Sequence, residues 1–439
     1  MLKTRIDFDH RTRRQALMAN DSDATFVFFG ASEVKRNDDV DYPFRQDSTF
    51  YYLTGFDEPG AALVLSRGES YLFVRDRDLN SEIWEGERYG TERAKTIFEM
   101  DQAESIRSFY LKLEELIAGT KRVYVQLTPG TGRTTQLLEV VAKASKLQGK
   151  GAHGMLPVMD PAAFLAKMRV IKDPAEQKQM RRICELSAQA HLHLLKTVRP
   201  GMSEQQAAAE FQYFLMSNGA TDLGYGPIFA GGKNATTLHY VRNNENLNLG
   251  DLLLVDAAGE LDHYTADITQ TFPVGRAFSV EQKTVYEHVL HVNRAIAALV
   301  KPGVTYRQLH QKSCELVTEA LMDLGVLQGK LSELVEKKEY RKFYMHGLGH
   351  FLGLDVHDAG IYDHHGVDVK LEPGMILTNE PGLYFRDATS PYAGIGVRIE
   401  DDLLVTETGA ENLTASLLRE PREIENLREQ AFKGVTYSS

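Results

Sequence analysis

The segment Val198-Arg199-Pro200-Gly201-x-Ser203 returns later in the chain as Val300-Lys301-Pro302-Gly303-x-Thr305. In each copy a Pro-Gly pair stops one helical pattern and a hydroxyl residue caps the next. The helices that run into these stops also begin clearly. Asp173-Pro174-Ala175-Glu176 places a capping carboxylate before proline with glutamate at the third helical position, and Ser279-x-x-Gln282 is a capping box. A second repeat follows the first in the same order. Gly250-x-Leu252-Leu253-Leu254-Val255-Asp256 is matched by Gly374-x-Ile376-Leu377-Thr378-Asn379-Glu380, each an apolar strand that ends in an acid. Together the repeats predict an internally duplicated α+β domain over 173–439, whose facing halves bring two acid-tipped strands to one centre. Ligand sites form at such junctions.

The chain ahead of residue 172 follows another pattern. Phe26–Phe29 and Ala61–Leu65 read as buried strands, and Tyr71–Val74 pairs with the second as a hairpin. Val123–Leu127 is a further strand and the Gln136–Lys146 region is helical, so 1–172 is expected to be an α/β domain with a mixed sheet. A length of 439 residues fits two domains better than one core.

Charge and cysteine usage exclude several functions. A net charge of −11 argues against a nucleic-acid binder. Cys184 and Cys314 are too few for a disulfide framework or a cysteine zinc site, which suits a reducing, cytoplasmic setting. The first twenty residues alternate in charge and show no secretory leader, and no apolar run of about 20 residues predicts a membrane span.

The acids carry the chemistry. Asp256 ends its strand, and Asp267 is expected within a short Thr-rich strand, DITQTF. A buried unpaired carboxylate costs several kcal/mol, roughly, so each needs a partner. An edge turn for Asp256 and a salt bridge for Asp267 would also serve. The second half supplies MHGLGHFLGLDVHD, with His346, His350 and His357 among glycines that disfavour a helix. An extended chain puts His346 and His350 on one face and His357 further along. Glu380 stands before a Pro-Gly break, and Glu400 alternates with apolar residues in Val397-Arg398-Ile399-Glu400, sharing a face with Arg398. An ordinary ion pair is the alternative for either glutamate. Jointly, Asp256, Asp267, Glu380, Glu400 and His350 form an oxygen-rich set with one nitrogen, suited to Mn²⁺ and also to Co²⁺, Zn²⁺ or Fe²⁺. Four negative charges balance two dications, between which a water is acidified toward hydroxide.

At these residues the chain resembles the pita-bread metallopeptidases, and among them the aminopeptidase P family, which removes an N-terminal residue preceding proline. Tyr42-Pro43-Phe44-Arg45-Gln46 and the segment from Phe50 to Pro59 are similar to that family's non-catalytic domain. Leu238-His239-Tyr240, the two aspartates, MHGLGHFLGLDVHD, NEPGLY and GVRIEDD follow the family order. The resemblance implies that Asp267 and Glu400 bridge two ions, that Asp256 binds one, and that His350 and Glu380 bind the other. It further implies that Glu380 relays protons, that His357 stabilises the tetrahedral oxygen, and that His239 and His346 line the substrate pocket. Arg398 and Tyr384 would shape the site. Trp84, the single tryptophan, matches one that reaches a neighbouring subunit's active site, which implies a homo-oligomer, dimer or tetramer. A buried domain anchor is the other reading of Trp84. The implied partners are peptides with proline second. Prolidase, which cleaves Xaa-Pro dipeptides with the same ligands, is the alternative, disfavoured by the short stretch between His357 and Glu380. A pita-bread binding protein without catalysis would have lost ligands that this chain keeps. Asn379 departs from the valine more usual before Glu-Pro-Gly.

Other motifs carry nothing further. Thr128–Thr135 lacks the Gly-Lys-Ser/Thr ending of a phosphate loop and reads as a strand-to-helix turn. His364-His365 reads as a surface loop.

Overall fold

The computed structural model describes residues 7–126, 132–146 and 154–433. Leu127 and the first half of the turn expected at Thr128–Thr135 lie outside them, and from Gly132 the chain is already helical. Asp7–Met168 forms one compact unit and the chain from Arg169 onward forms another.

The first unit is built on a six-stranded sheet in the order Gln102–Ser105, Glu69–Val74, Ala62–Ser66, Ala24–Phe29, Arg122–Val125, Val158–Met159. The expected hairpin is present, Ala62–Ser66 pairing antiparallel with Glu69–Val74, while Ala24–Phe29 pairs parallel with Arg122–Val125. The sheet is therefore mixed. Helices Phe109–Ile117 and Gly132–Lys146 contribute Leu113, Ile117, Leu137 and Val141 to a core that contains Val27, Val64, Phe73 and Val123 of the strands. Trp84 ends up elsewhere. It sits on the short helix Leu79–Glu85, 88% exposed, beside exposed Leu79 and Ile83, which excludes the buried-anchor reading.

In the second unit the repeats become geometry. Helices Pro174–Thr197 and Val280–Ala297 open with capping boxes at Asp173 and Ser279, and Glu204–Ser217 and Tyr306–Asp323 open with capping boxes at Ser203 and Thr305. The Pro-Gly breaks are held alike. Gly201 N–H donates to Leu247 O at 2.8 Å, and Gly303 N–H donates to Leu371 O at 2.9 Å. Ser203 bridges to Asn246 as Thr305 bridges to Lys370. Three residues after each leucine comes the glycine, Gly250 or Gly374, that starts the acid-tipped strand. Strand Leu252–Asp256 pairs antiparallel with Thr269–Pro273, with Asp256 opposite Thr269. Strand Ile376–Asn379 pairs antiparallel with Asp401–Val405, with Asn379 opposite Asp401.

One expected boundary shifts. Asp267 lies ahead of its strand, because its N–H donates to the carboxylate of Asp402 at 3.1 Å rather than to a neighbouring strand. The two hairpins meet where Glu400 N–H donates to Thr269 O at 3.1 Å. The buried Asn293 amide braces the same place, donating to Asn379 O at 3.1 Å and Ile399 O at 3.3 Å, while Asn379 Nδ2 donates back to Asn293 O at 2.8 Å. The unusual asparagine is thus a packing partner of Asn293.

The histidine-bearing segment is irregular, as its glycines require. His350 N–H donates to Thr378 Oγ1 at 3.0 Å, and Thr378 N–H donates to His350 O at 2.9 Å. A Cβ on Gly349 would stand 2.2 Å from Thr378 O, so only glycine permits this approach. Beyond Phe351 the chain doubles back, with Asp358 N–H donating to Phe351 O at 2.8 Å. His357 therefore does not lie further along; its ring centroid is 4.1 Å from that of His350.

Candidate metal centre

Each hairpin delivers two acids to the same place. Asp256 ends one strand and Asp267 precedes its partner, while Glu380 follows the other strand and Glu400 precedes its partner. Ligand atoms of Asp267, His350 and Glu400 lie within 4.8 Å of one another. Glu380 joins through His350, whose Nε2 is 3.4 Å from Asp267 Oδ2 and 3.7 Å from Glu380 Oε1. Asp256 stands outside this tight group. Its Oδ1 accepts from Tyr225 O–H at 2.7 Å and its Oδ2 accepts from Arg398 Nη2 at 2.7 Å.

The charges do not balance. Burial, and then the neighbouring carboxylates, push Glu400 well above the usual range. Burial and Asp267 push Glu380 to about 7 against the pull of His350, and burial raises Asp256 despite Arg398. Four carboxylates facing one guanidinium leave a surplus that a cation would neutralise, and the hard oxygen donors suit a divalent one.

His350 fits the same need. Its Nδ1 donates to Phe351 O at 3.1 Å, so the lone pair of Nε2 points among the acids. A ring nitrogen's lone pair cannot face carboxylates unless a cation stands between them. In the protein alone a proton fills that place. Burial opposes it, but the hydrogen bond and charge of Asp267 and the charge of Glu380 prevail, holding His350 at about 9.

Two of the other histidines are pushed toward the neutral form. Burial depresses His346 to about 3, with Arg398 adding to the effect. Its Nδ1 donates to Gly347 O at 2.8 Å, leaving Nε2 to accept from Tyr384 O–H at 2.9 Å, and Tyr384 in turn accepts from Arg398 Nη1 at 2.8 Å. Arg398 therefore fixes a tautomer two steps away while holding Asp256. His357 is exposed and shifted down by burial and by His350. His239 is exposed on the loop after Thr237.

Several contacts here lie outside the set expected from sequence. Thr269 Oγ1 donates to Glu400 Oε2 at 2.6 Å and accepts from Arg398 Nε at 3.0 Å, so Arg398 and Glu400 share one hydroxyl. Alternation from Asp267 along DITQTF would have put Thr269 on its side of the chain. Buried Asp402 accepts from Asp267 N–H and, at 3.2 Å, from Cys184 Sγ. Burial raises both the Asp402 carboxyl and the Cys184 thiol. Tyr225 had no local signal.

Residues 178–407 match the model of metallopeptidase family M24, and residues 10–124 match that of the aminopeptidase P N-terminal domain. The Xaa-Pro aminopeptidase of Haemophilus influenzae is 40% identical over 428 residues, spanning 95% of this chain and 96% of the relative. A solved Pseudomonas aeruginosa aminopeptidase superposes with a TM-score of 0.94 at 39% identity, over 98% of this chain and 100% of that one. A variant of Escherichia coli aminopeptidase P in complex with substrate gives a TM-score of 0.92 at 38% identity, over 97% and 98%. The chain belongs to metallopeptidase family M24, and within it to the aminopeptidase P group with its pita-bread fold.

Proposed function

We propose that this chain is an Xaa-Pro aminopeptidase in which Asp256, Asp267, His350, Glu380 and Glu400 hold two divalent ions, with Mn²⁺ the preferred metal. The observation that carries the reading is the Nε2 lone pair of His350 aimed at Asp267 and Glu380. Relatives named Xaa-Pro aminopeptidase favour this reading over a dipeptidase. The division of labour follows, with 1–172 as a non-catalytic domain and 173–439 as the catalytic one.

When bound, the ions acidify water and polarise the scissile carbonyl. The chain's own groups do the rest. Glu380, beside His350 at the edge of the acid group, would take a proton from water and return it to the departing nitrogen. Neutral His346, locked by Gly347 and Tyr384, and exposed His239 would bind substrate around the scissile bond. Tyr384 and Arg398 hold His346 and Asp256 in register. His357, beside His350 but bonded to no acid among the described residues, is free to donate to the oxygen that gains charge.

The test is Mn²⁺-dependent cleavage of Arg-Pro-Pro compared with Ala-Pro, with metal content measured on the same sample. Release of arginine from the tripeptide is expected, with slow or no cleavage of the dipeptide; the reverse preference would favour prolidase. The two roles of histidine are also separable. His357→Ala should keep both metals and lose about 10²-fold in kcat, the scale of one lost oxyanion donor. His350→Ala should lose metal. Identical metal content in the two variants would remove the distinction between ligand and catalyst.

The assembly belongs to this proposal too. Trp84 with Leu79 and Ile83 makes an exposed apolar surface of the kind used between subunits. A homo-oligomer is expected, with Trp84 at a partner's substrate pocket. Light scattering should give a dimer or tetramer, and Trp84→Ala should raise KM for longer peptides at unchanged metal content. A fully active monomer would count against it. Two buried cysteines without a disulfide support a cytoplasmic setting, and among the described residues no helix is long and apolar enough to cross a membrane.

A further inference from the structure

Ser203 and Thr305 are matching N-caps, and the residue after each, Glu204 and Tyr306, opens the second helix of its half. Both side chains reach from the helix into an irregular loop that carries histidine. Tyr306 O–H donates to Gly349 O and accepts from Gly349 N–H at 2.9 Å, between His346 and His350. Glu204 does the same in the other half, on a larger scale.

The Glu204 carboxylate is fully buried and accepts four hydrogen bonds from one stretch of chain. Oε1 accepts from Gly231 N–H at 2.8 Å and Asn234 Nδ2 at 2.9 Å. Oε2 accepts from Tyr240 O–H at 2.9 Å and Glu245 N–H at 3.0 Å. The backbone N–H of Glu204 also donates to Glu245 O at 2.9 Å. The chain has no room for slack here: a Cβ on Gly231 would stand 2.7 Å from Leu247 Cδ2 and 3.4 Å from Glu204 Oε1.

His239 sits between these anchor points. From Thr237 to Glu245 the chain forms neither helix nor strand, and no hydrogen bond holds the His239 ring among the described residues. Its place is therefore set by its backbone, which Tyr240 and Glu245 tie to Glu204. The loop borders the centre, since Leu238 and Tyr240, on either side of His239, pack against the buried cluster that contains Tyr384, the partner of His346.

We propose that Glu204 is a positioning residue for substrate binding, fixing the 231–245 loop and so the place of His239, as Tyr306 fixes the loop of His346 and His350. The proposal rests on the reading of His239 as a substrate-binding residue. Only a carboxylate suits the position. It accepts at both oxygens, whereas a glutamine of the same size would aim its own N–H groups at two of the four donors.

The test uses the Mn²⁺-loaded enzyme and an Xaa-Pro tripeptide, comparing E204Q, Y240F, H239A and the double variant E204Q/H239A. E204Q should raise KM by about 10-fold, the factor of one lost charged hydrogen bond, with metal content unchanged. Amide exchange over 236–246 should quicken in E204Q. Y240F removes one of the four bonds to Glu204, together with the 3.2 Å contact of the hydroxyl to Asn244 Oδ1, and should shift both readouts the same way by less, so it carries the test if E204Q does not fold. The KM penalty of E204Q should vanish in the H239A background, because a loop that no longer presents His239 cannot misplace it. Wild-type KM in E204Q, or an E204Q penalty fully retained with H239A, overturns the positioning role alone. Wild-type kinetics in H239A instead overturns the reading of His239 on which the proposal rests.

Discussion

Asp267→Ala is expected to purify with little or no bound Mn²⁺ and to lose at least about 10⁴-fold in kcat/KM, the scale on which removing one member of a catalytic unit acts. Asp267 lies in the tight group with His350 and Glu400, and its Oδ2 is the acid oxygen nearest His350 Nε2. Losing it removes a charge and a donor from the middle of the set, not from its rim. The fold should tolerate the change. The hydrogen bond from Asp267 N–H to Asp402 belongs to the backbone and survives. The side chain is also one of the like charges that, after burial, hold Glu400 above its usual range, so its removal relieves the metal-free protein. The metal-free variant should thus unfold at the wild-type temperature or above it. Adding Mn²⁺ should raise the melting temperature of the wild type and leave the variant where it was. The checks are metal content by mass spectrometry, turnover of an Xaa-Pro tripeptide, and melting with and without metal. Two ions per chain with full activity would sink the assignment of Asp267 as a ligand.

What the sequence reveals of this molecule divides along the range of the interactions. The helix starts at Asp173, Ser203, Ser279 and Thr305 lie where expected, because the capping box found at each is closed by residues three apart. The duplication is legible for a related reason: a Pro-Gly stop and a glycine before an acid-tipped strand leave local marks. Contacts between distant segments leave none. Asp267 was expected in a strand, but a carboxylate far along the chain, Asp402, takes its N–H and delays pairing to Thr269. Tyr225 touches Asp256, and Thr269 joins Arg398 to Glu400, only after two hairpins have met. Glu204 reads as an ordinary first-turn acid until the loop beyond Gly231 closes over it. Trp84 is the opposite case. Glutamates around a tryptophan already argued against a core, and its exposure follows from that neighbourhood.

The second large effect is on stability and lies one residue from His357. Asp358→Asn is expected to destabilise the second unit by about 3–5 kcal/mol, the cost of leaving a buried charge without its counter-ion. Asp358 is buried with Lys172 and Arg169: Oδ2 accepts from Lys172 Nζ at 2.9 Å, and Oδ1 accepts from Arg169 Nη2. The partners pull the Asp358 carboxyl below its usual range against the effect of burial. The asparagine keeps the shape, so no cavity arises, and the loss isolates the charge. Arg169 retains Asp355 at 2.6 Å, whereas among the described residues Asp358 is the carboxylate paired with Lys172. Most of the penalty should therefore come from Lys172, and the double variant Lys172→Met with Asp358→Asn should recover a large part of it, since an apolar side chain of similar length needs no counter-ion. The sign with pH follows from the lowered carboxyl: the contribution is complete above the unfolded value of about 4 and fades only as pH falls toward the folded one. Wild type and variant should thus differ by a constant amount through neutral pH and converge in acid. Guanidinium unfolding followed by exchange at the 350–360 amides would measure both effects. A penalty below about 1 kcal/mol at neutral pH, or no recovery in the double variant, would mean that Lys172 is solvated or paired otherwise. The fold-back that sets His357 against His350 would then rest on the Asp358–Phe351 backbone bond rather than on this ion cluster.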